Sequence, residues 1–134
     1  MKHILLASIT LMIYSNATMA NNPAVTQLLA DYQSQGAGIG NAQSGEQLWN
    51  KTFSGKAPIS ERSCSTCHTD NLKNKGKHAR TGKELKPLAP SVNKQSLSDV
   101  KKITKWLKRN CKWTLGRECT AQEKSDILTF INQQ

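Results

Sequence analysis

Methionine is missing from residues 21–134, because Met1, Met12 and Met19 are the three methionines of the chain. Thioether coordination of a metal is therefore excluded downstream of residue 20. Acidic residues are also few, since nine Asp and Glu stand against 19 Lys and Arg. The resulting net charge of +10 favours anionic partners, which are nucleic acids, anionic membranes or acidic proteins.

Residues 1–20 are predicted to form a secretory signal peptide that is cleaved after Ala20 or Ala17. A short basic start precedes an apolar segment, Ile4–Tyr14, and small residues follow it. That segment falls short of the ~20 apolar residues that a transmembrane helix needs, so we expect no stable membrane insertion. Cleavage would leave residues 21–134 as one domain in the periplasm.

The charge of the predicted mature domain remains strongly positive. Removal of Lys2 leaves 18 basic and 9 acidic residues, and therefore 18 − 9 = +9. Export makes nucleic acid an implausible partner. An acidic redox protein would suit this charge, because electrostatic steering accelerates short-lived docking. The alternative is that the charge only maintains solubility.

The segment Cys64-x-x-Cys67-His68 has the pattern of a c-type haem attachment site. The two thiols can add to the haem vinyl groups, and His68 can bind the iron from one face. A thioredoxin-like redox pair would need a βαβ context, which the sequence lacks. A zinc site would need a second ligand pair at suitable spacing, and the remaining cysteines are eight residues apart. One covalent haem c is therefore the predicted cofactor.

Cys111 and Cys119 remain once the haem motif is assigned. A leftover pair in an oxidising compartment suggests a disulfide. Such a bond would close a small loop and contribute about 2–3 kcal/mol of stability. The alternative is two free buried thiols.

Four segments have the periodicity of amphipathic helices, and neither repeats nor strand-like alternation appear. The predicted helices are Pro23–Gln35, Ser44–Phe53, Ser98–Arg109 and Ala121–Asn132. Three predicted helix-start signals accompany them: Ser44 with Gln47, Ser96 with Asp99, and Thr120 with Glu123. The fold class is therefore all-α, a small single domain in which Asn110–Thr120 forms a short connection.

Residues 71–93 are predicted to form a long loop that covers the haem face away from His68. Basic residues crowd this loop, and Glu84 is the acidic residue among them. We call these cations the basic loop and predict that they dock a redox partner: Lys73, Lys75, Lys77, Arg80, Lys83 and Lys86.

The residues alone do not determine which ligand occupies the second axial position of the iron. Methionine, the usual ligand of small electron-transfer cytochromes, is absent from the predicted domain. An amine ligand must first lose its proton, which is unfavourable near neutral pH. The side chains that remain are His78, Lys83, Lys86, Tyr32, Asn93 and Asn110. Water or an empty site are further alternatives.

Three groups of motifs carry a family resemblance. They lie in Arg80–Glu84 with Pro87–Ser91, in Lys105–Cys111 with Gly116–Thr120, and in Glu123–Asp126. Through these motifs the chain resembles the Sphaeroides haem protein (SHP) family of class I-like monohaem cytochromes c. The similarity spans residues 21–134 and is densest from Ser63 to Ile131.

The resemblance implies that Cys64 and Cys67 attach the haem and that His68 is the proximal ligand. It implies that Asn110, in an Arg-Asn-Cys motif, is the sixth ligand, and that Cys111 pairs with Cys119. It also suggests a dihaem cytochrome c as electron donor, with a membrane cytochrome b upstream.

Two functions are therefore expected of the chain. The first is an electron acceptor whose reduced iron opens to O2, NO or CO, and the alternative is an enzyme that reduces or detoxifies O2 or NO. A carrier normally keeps a firm sixth ligand, so the missing methionine favours gas chemistry. A structural zinc or thiol-redox module is the third and weakest alternative.

Overall fold

The computed structural model describes residues 22–134, and the predicted signal peptide lies outside the described residues. Within this described range there are five helices: α1 Pro23–Ser34, α2 Ala42–Asn50, α3 Ser65–His68, α4 Val100–Leu115 and α5 Ala121–Asn132. The all-α fold class is confirmed. Among residues 22–134, no helix is both long enough and apolar enough to cross a membrane.

Two small antiparallel hairpins add strands that the sequence did not predict. β1 (Phe53–Ser54) pairs with β2 (Glu61–Arg62), with Phe53 opposite Arg62. β3 (Gly76–Lys77) pairs with β4 (Glu84–Leu85), with Gly76 opposite Leu85. Each strand has two residues, which is too short for alternation to appear in a sequence. The predicted loop at residues 71–93 therefore contains a hairpin.

Helix α5 packs against α1 and α2 at the centre of the fold. The predicted apolar face is confirmed, since Ile127, Leu128, Phe130 and Ile131 are all buried. The α2 contact is very close at Gly45, where an added Cβ would lie 2.2 Å from the carbonyl oxygen of Asp126. Glycine therefore sets the distance between these two helices.

Helix α4 is longer than predicted. It continues through Asn110 to Leu115, so the predicted connection from Asn110 to Thr120 was wrong at its start. The buried side of the helix continues past Arg109 to Cys111 and Thr114, which explains the extension. The helix ends at Gly116, which takes a left-handed conformation with φ +75°.

The predicted helix starts were partly correct. The capping box of α5 is confirmed, because Thr120 Oγ1 accepts from Glu123 N at 3.2 Å and Glu123 Oε2 accepts from Thr120 N at 2.8 Å. The start predicted at Ser44 was wrong, since Asn41 caps α2 by accepting from the Ser44 amide at 2.9 Å. At the third predicted start, Asp99 caps α4 without Ser96.

Candidate haem site

A cavity of about 960 Å³ lies between α3, α4, α5 and the segment from residue 78 to 97. This volume is at the upper end of the ~300–1,000 Å³ usual for ligand pockets. Its apolar wall includes Leu85, Leu88, Leu97, Ile103, Leu107 and Ile131. The cavity therefore offers space for a large, mostly apolar ligand.

Cys64 and Cys67 line this cavity on a single turn of helix. Ser63 and Thr66 stabilise the turn, because Ser63 N donates to Thr66 Oγ1 at 2.9 Å and Thr66 N donates to Ser63 Oγ at 3.1 Å. Both thiols are free and half-buried. Burial raises the pKa of Cys64 to about 11. The turn thus presents two thiols toward one apolar space.

His68 also lines the cavity, and its ring is held by Trp49. The two ring centroids are 5.7 Å apart, and Trp49 Nε1 donates to the carbonyl of Thr69 at 2.9 Å. Burial lowers the pKa of His68, which favours the neutral imidazole that binds metals. Gly76 passes directly behind this turn, where an added Cβ would lie 2.1 Å from the carbonyl oxygen of Cys67.

Asn110 lies on the wall that α4 contributes to the cavity. Trp106, Asn110 and Thr114 are spaced four residues apart and therefore lie along one side of the helix. Among residues 22–134, no group forms a hydrogen bond with the Asn110 side chain. Asn110 is also exposed to solvent.

The other axial candidates differ in position and bonding. His78 lines the cavity with Nδ1 occupied by the Thr81 amide at 3.2 Å, which leaves Nε2. Asn93 is engaged at both ends of its amide, because Nδ2 donates to Pro87 O at 2.7 Å and Oδ1 accepts from Gln95 N at 3.3 Å. Lys86 lines the cavity, whereas Lys83 and the buried Tyr32 do not.

A disulfide joins Cys111 to Cys119, with 5.5 Å between their Cα atoms. Both cysteines are 4% exposed. The bond ties the last turns of α4 to the segment that precedes α5. Cys111, the residue next to Asn110, is therefore held in place both by α4 and by the disulfide.

All six cations of the basic loop are exposed. Arg80 and Lys86 reach the cavity lining, while Lys75 forms a salt bridge of 2.9 Å with Glu84. Sequence reasoning missed Arg62, which lines the cavity, packs 4.7 Å from the Trp113 ring and donates to the Trp113 carbonyl at 3.0 Å. It belongs to a hairpin that the sequence did not reveal.

The residues of the cavity fit a covalently attached haem. They supply two thiols on one turn, a neutral imidazole next to the second thiol and an apolar enclosure of suitable volume. Within residues 22–134, no group of three or more His, Cys, Asp or Glu side chains is arranged so that it could hold a bare metal ion. These observations favour haem among the three chemistries that the motif allows.

Comparisons with known proteins agree with this interpretation. The family described as "Domain of unknown function (DUF1924)" matches residues 35–131. "Cytochrome c-type protein SHP" of Cereibacter sphaeroides is 35% identical over 122 residues, covering 91% of this chain and 93% of that protein. "Cytochrome c''" of Methylophilus methylotrophus is 40% identical over 81 residues, which are 60% of this chain and 54% of that protein.

Solved structures extend the similarity to the whole fold. One described as "Structure of oxidized SHP, an oxygen binding cytochrome c" has a TM-score of 0.74 at 38% identity, covering 82% of this chain and 96% of that one. Oxidized cytochrome c'' from Methylophilus methylotrophus has a TM-score of 0.71 at 28% identity, covering 83% and 94%. The fold is thus that of a class I-like cytochrome c. The chain belongs to the SHP family of cytochromes c, and its cofactor is one covalent haem c.

Proposed function

We propose that this cytochrome accepts single electrons from another redox protein and, once reduced, binds a diatomic gas, O2 or NO. The observation that carries the proposal is the Asn110 side chain, which lies on the cavity wall without a hydrogen bond to any residue in 22–134. The similar solved structure described as an oxygen binding cytochrome c supports the gas-binding part of this proposal.

Cys64 and Cys67 would attach the haem through thioether bonds, and His68 would be the proximal ligand. The bound haem supplies an iron atom that exchanges one electron and coordinates ligands on both faces. Trp49 fixes the orientation of the His68 ring through the 5.7 Å packing of the two rings. The lowered pKa of His68 keeps its nitrogen lone pair available.

Asn110 would be the second axial ligand. A neutral amide oxygen is a hard, weak donor, so it suits ferric iron better than ferrous iron. We expect the amide to bind in the oxidised protein and to withdraw in the reduced one. Because Asn110 belongs to α4 and Cys111 is cross-linked, the backbone stays fixed and only the side chain needs to move.

The redox partner would be an acidic protein, with a dihaem cytochrome c as the partner implied by the family. It would dock at the basic loop, of which Arg80 and Lys86 extend into the cavity lining. The predicted signal peptide supports a periplasmic location for this exchange. O2, NO and CO are the diatomic ligands we expect at the reduced iron.

An oxygen- or NO-reducing enzyme is the second candidate function. It is favoured by His78 and Arg80, which the hairpin of β3 and β4 brings to the cavity. These side chains could donate protons or hydrogen bonds to a bound gas. Repeated consumption of O2 or NO with excess reductant would establish turnover, whereas stoichiometric binding alone would favour the carrier.

Optical spectra of the ferric, ferrous and CO-bound protein test the proposal. Asn110→Ala should change the ferric spectrum. When the ferric protein is reduced in the presence of CO, the variant should bind CO faster, because no amide ligand has to leave the iron first. Asn93→Ala is the matched control and should leave both unchanged, since its amide is already bonded within the chain. An unchanged Asn110→Ala spectrum, with a changed His78→Ala spectrum, would assign the site to His78 instead.

A further inference from the structure

Helix α4 carries a stripe of positive charge that is separate from the basic loop. Its cations recur at the spacing of one helical face and fall within an arc of about 120° at 100° per residue. No acidic residue occurs between Val100 and Leu115. The members of this α4 stripe are Lys101, Lys102, Lys105, Lys108, Arg109 and Lys112, and all are exposed.

Most of the charge in the α4 stripe is not neutralised within the described chain. Glu118 accepts salt bridges from Lys108 at 3.5 Å and Lys112 at 3.1 Å. Among residues 22–134, no acidic side chain forms a salt bridge with the remaining four cations. The stripe therefore projects a field that an acidic surface can satisfy.

Trp106 lies at the boundary between the α4 stripe and the haem cavity. It is 49% exposed and also contributes to the cavity lining. Lys105 Nζ lies 5.6 Å and Arg109 Cζ 5.1 Å from its ring. Exposed tryptophan beside cations is a residue type that protein interfaces favour. One side chain thus connects an unpartnered charged surface with the cofactor cavity.

We infer that the α4 stripe, with Trp106 at its edge, is a docking face for an acidic redox protein. Lys101, Lys105 and Lys108 do not line the cavity, and their side chains are exposed to solvent. The docked reductant would lose one electron and the haem would gain it, after which the Asn110 amide would withdraw as proposed above. The inference rests on the proposed role as an electron acceptor and adds a second docking surface, on α4, to the basic loop.

Charge-reversal variants distinguish docking at the α4 stripe from a general effect of the protein's net charge. The test variant is Lys101→Glu with Lys105→Glu, and the matched control is Lys51→Glu with Lys56→Glu, which lie outside α4 and the cavity lining. The holoprotein is reduced with an acidic flavodoxin hydroquinone as the protein probe and with a neutral flavin semiquinone as the small probe. Second-order rate constants are measured by stopped flow from low to high salt.

We expect the α4 variant to react about tenfold more slowly with flavodoxin at low salt, and to show a weaker salt dependence than the wild type. The control should fall much less, and both should react normally with the neutral flavin. Equal decreases in both variants would overturn the docking face, because net charge alone would then explain the rates. If the wild-type protein is not reduced by the neutral flavin either, the electron-acceptor function itself fails.

Trp106 supplies a second measurement that does not depend on charge. Trp106→Ala should lower the first-order rate at saturating flavodoxin, and Trp106→Phe should restore most of it. An unchanged limiting rate in Trp106→Ala would remove Trp106 from the docking face.

Discussion

Trp49 donates a hydrogen bond of 2.9 Å to the carbonyl of Thr69 while its indole lies 5.7 Å, centroid to centroid, from the ring of His68. Through this residue α2 is connected to the turn that carries the haem motif. Trp49 is itself 4% exposed and also packs against Phe130. The position of His68 therefore depends on the helical core.

Replacement of Trp49 should affect both stability and the haem. Trp49→Ala should lower the free energy of unfolding by about 3–5 kcal/mol through the cavity it leaves. Trp49→Phe should cost about 1–2 kcal/mol, mainly for the unpaired Thr69 carbonyl. Denaturation of the holoprotein and its ferric spectrum provide the measurements. Phe53→Ala, at a half-buried site outside the cavity lining, is the control, and an equal loss there would contradict the prediction.

Removal of the disulfide should destabilise the protein without unfolding it. Cys111 and Cys119 are separated by eight residues, so the loop-closure entropy predicts a loss of about 2–3 kcal/mol. The double variant Cys111→Ala with Cys119→Ala should show this loss in denaturant unfolding. A thiol reductant should bring the wild-type protein close to the same value. A variant as stable as the oxidised wild type would show that the helix alone holds this segment.

The features that could be predicted from the sequence are those encoded locally. The Cys64-x-x-Cys67-His68 motif and the capping box at Thr120 depend on residues a few positions apart. The apolar face of α5 follows from its periodicity. Each signal lies within one turn or one helix, so no tertiary information was needed.

The features that were missed depend on contacts between distant segments. Helix α4 was predicted to stop at Arg109, because the buried environment of Cys111 and Thr114 is not visible in the sequence. The two-residue strands are stabilised by pairing across turns rather than by their own composition. Arg62 enters the cavity lining only because its hairpin packs on the end of α4.

The ion pair of Glu123 with Arg117 should make stability depend on pH. Arg117 donates two hydrogen bonds of 2.7 Å to the Glu123 carboxylate. These bonds lower the pKa of Glu123 to about 2. Burial opposes this shift, and the hydrogen bond from the Thr120 amide adds to it. A lowered folded-state pKa stabilises the protein above the ordinary value of 4.5, and this contribution disappears as pH falls from 4.5 toward 2.

Glu123→Gln tests this linkage, because glutamine can keep the capping hydrogen bond but not the charge. The variant should be less stable by about 1 kcal/mol at neutral pH, and the difference should vanish near pH 2. Arg117→Gln should abolish the same pH-dependent difference. A difference between Glu123→Gln and wild type that is independent of pH would leave only the cap as its origin.

The close contact of α2 with α5 predicts an unusual response to alanine at Gly45. Helix propensity alone would make Gly45→Ala stabilising by about 1 kcal/mol. The new Cβ would instead lie 2.2 Å from the Asp126 carbonyl oxygen and 2.8 Å from Phe130 Cβ, so the helices must separate. We expect a net loss of about 2–3 kcal/mol in denaturant unfolding of the holoprotein.

Gly38→Ala is the control, since its Cβ would meet only the flexible Gln122 side chain, at 3.3 Å. Gly38→Ala should change stability by less than about 1 kcal/mol, and a Gly45→Ala protein as stable as wild type would show that the helix pair can part without cost.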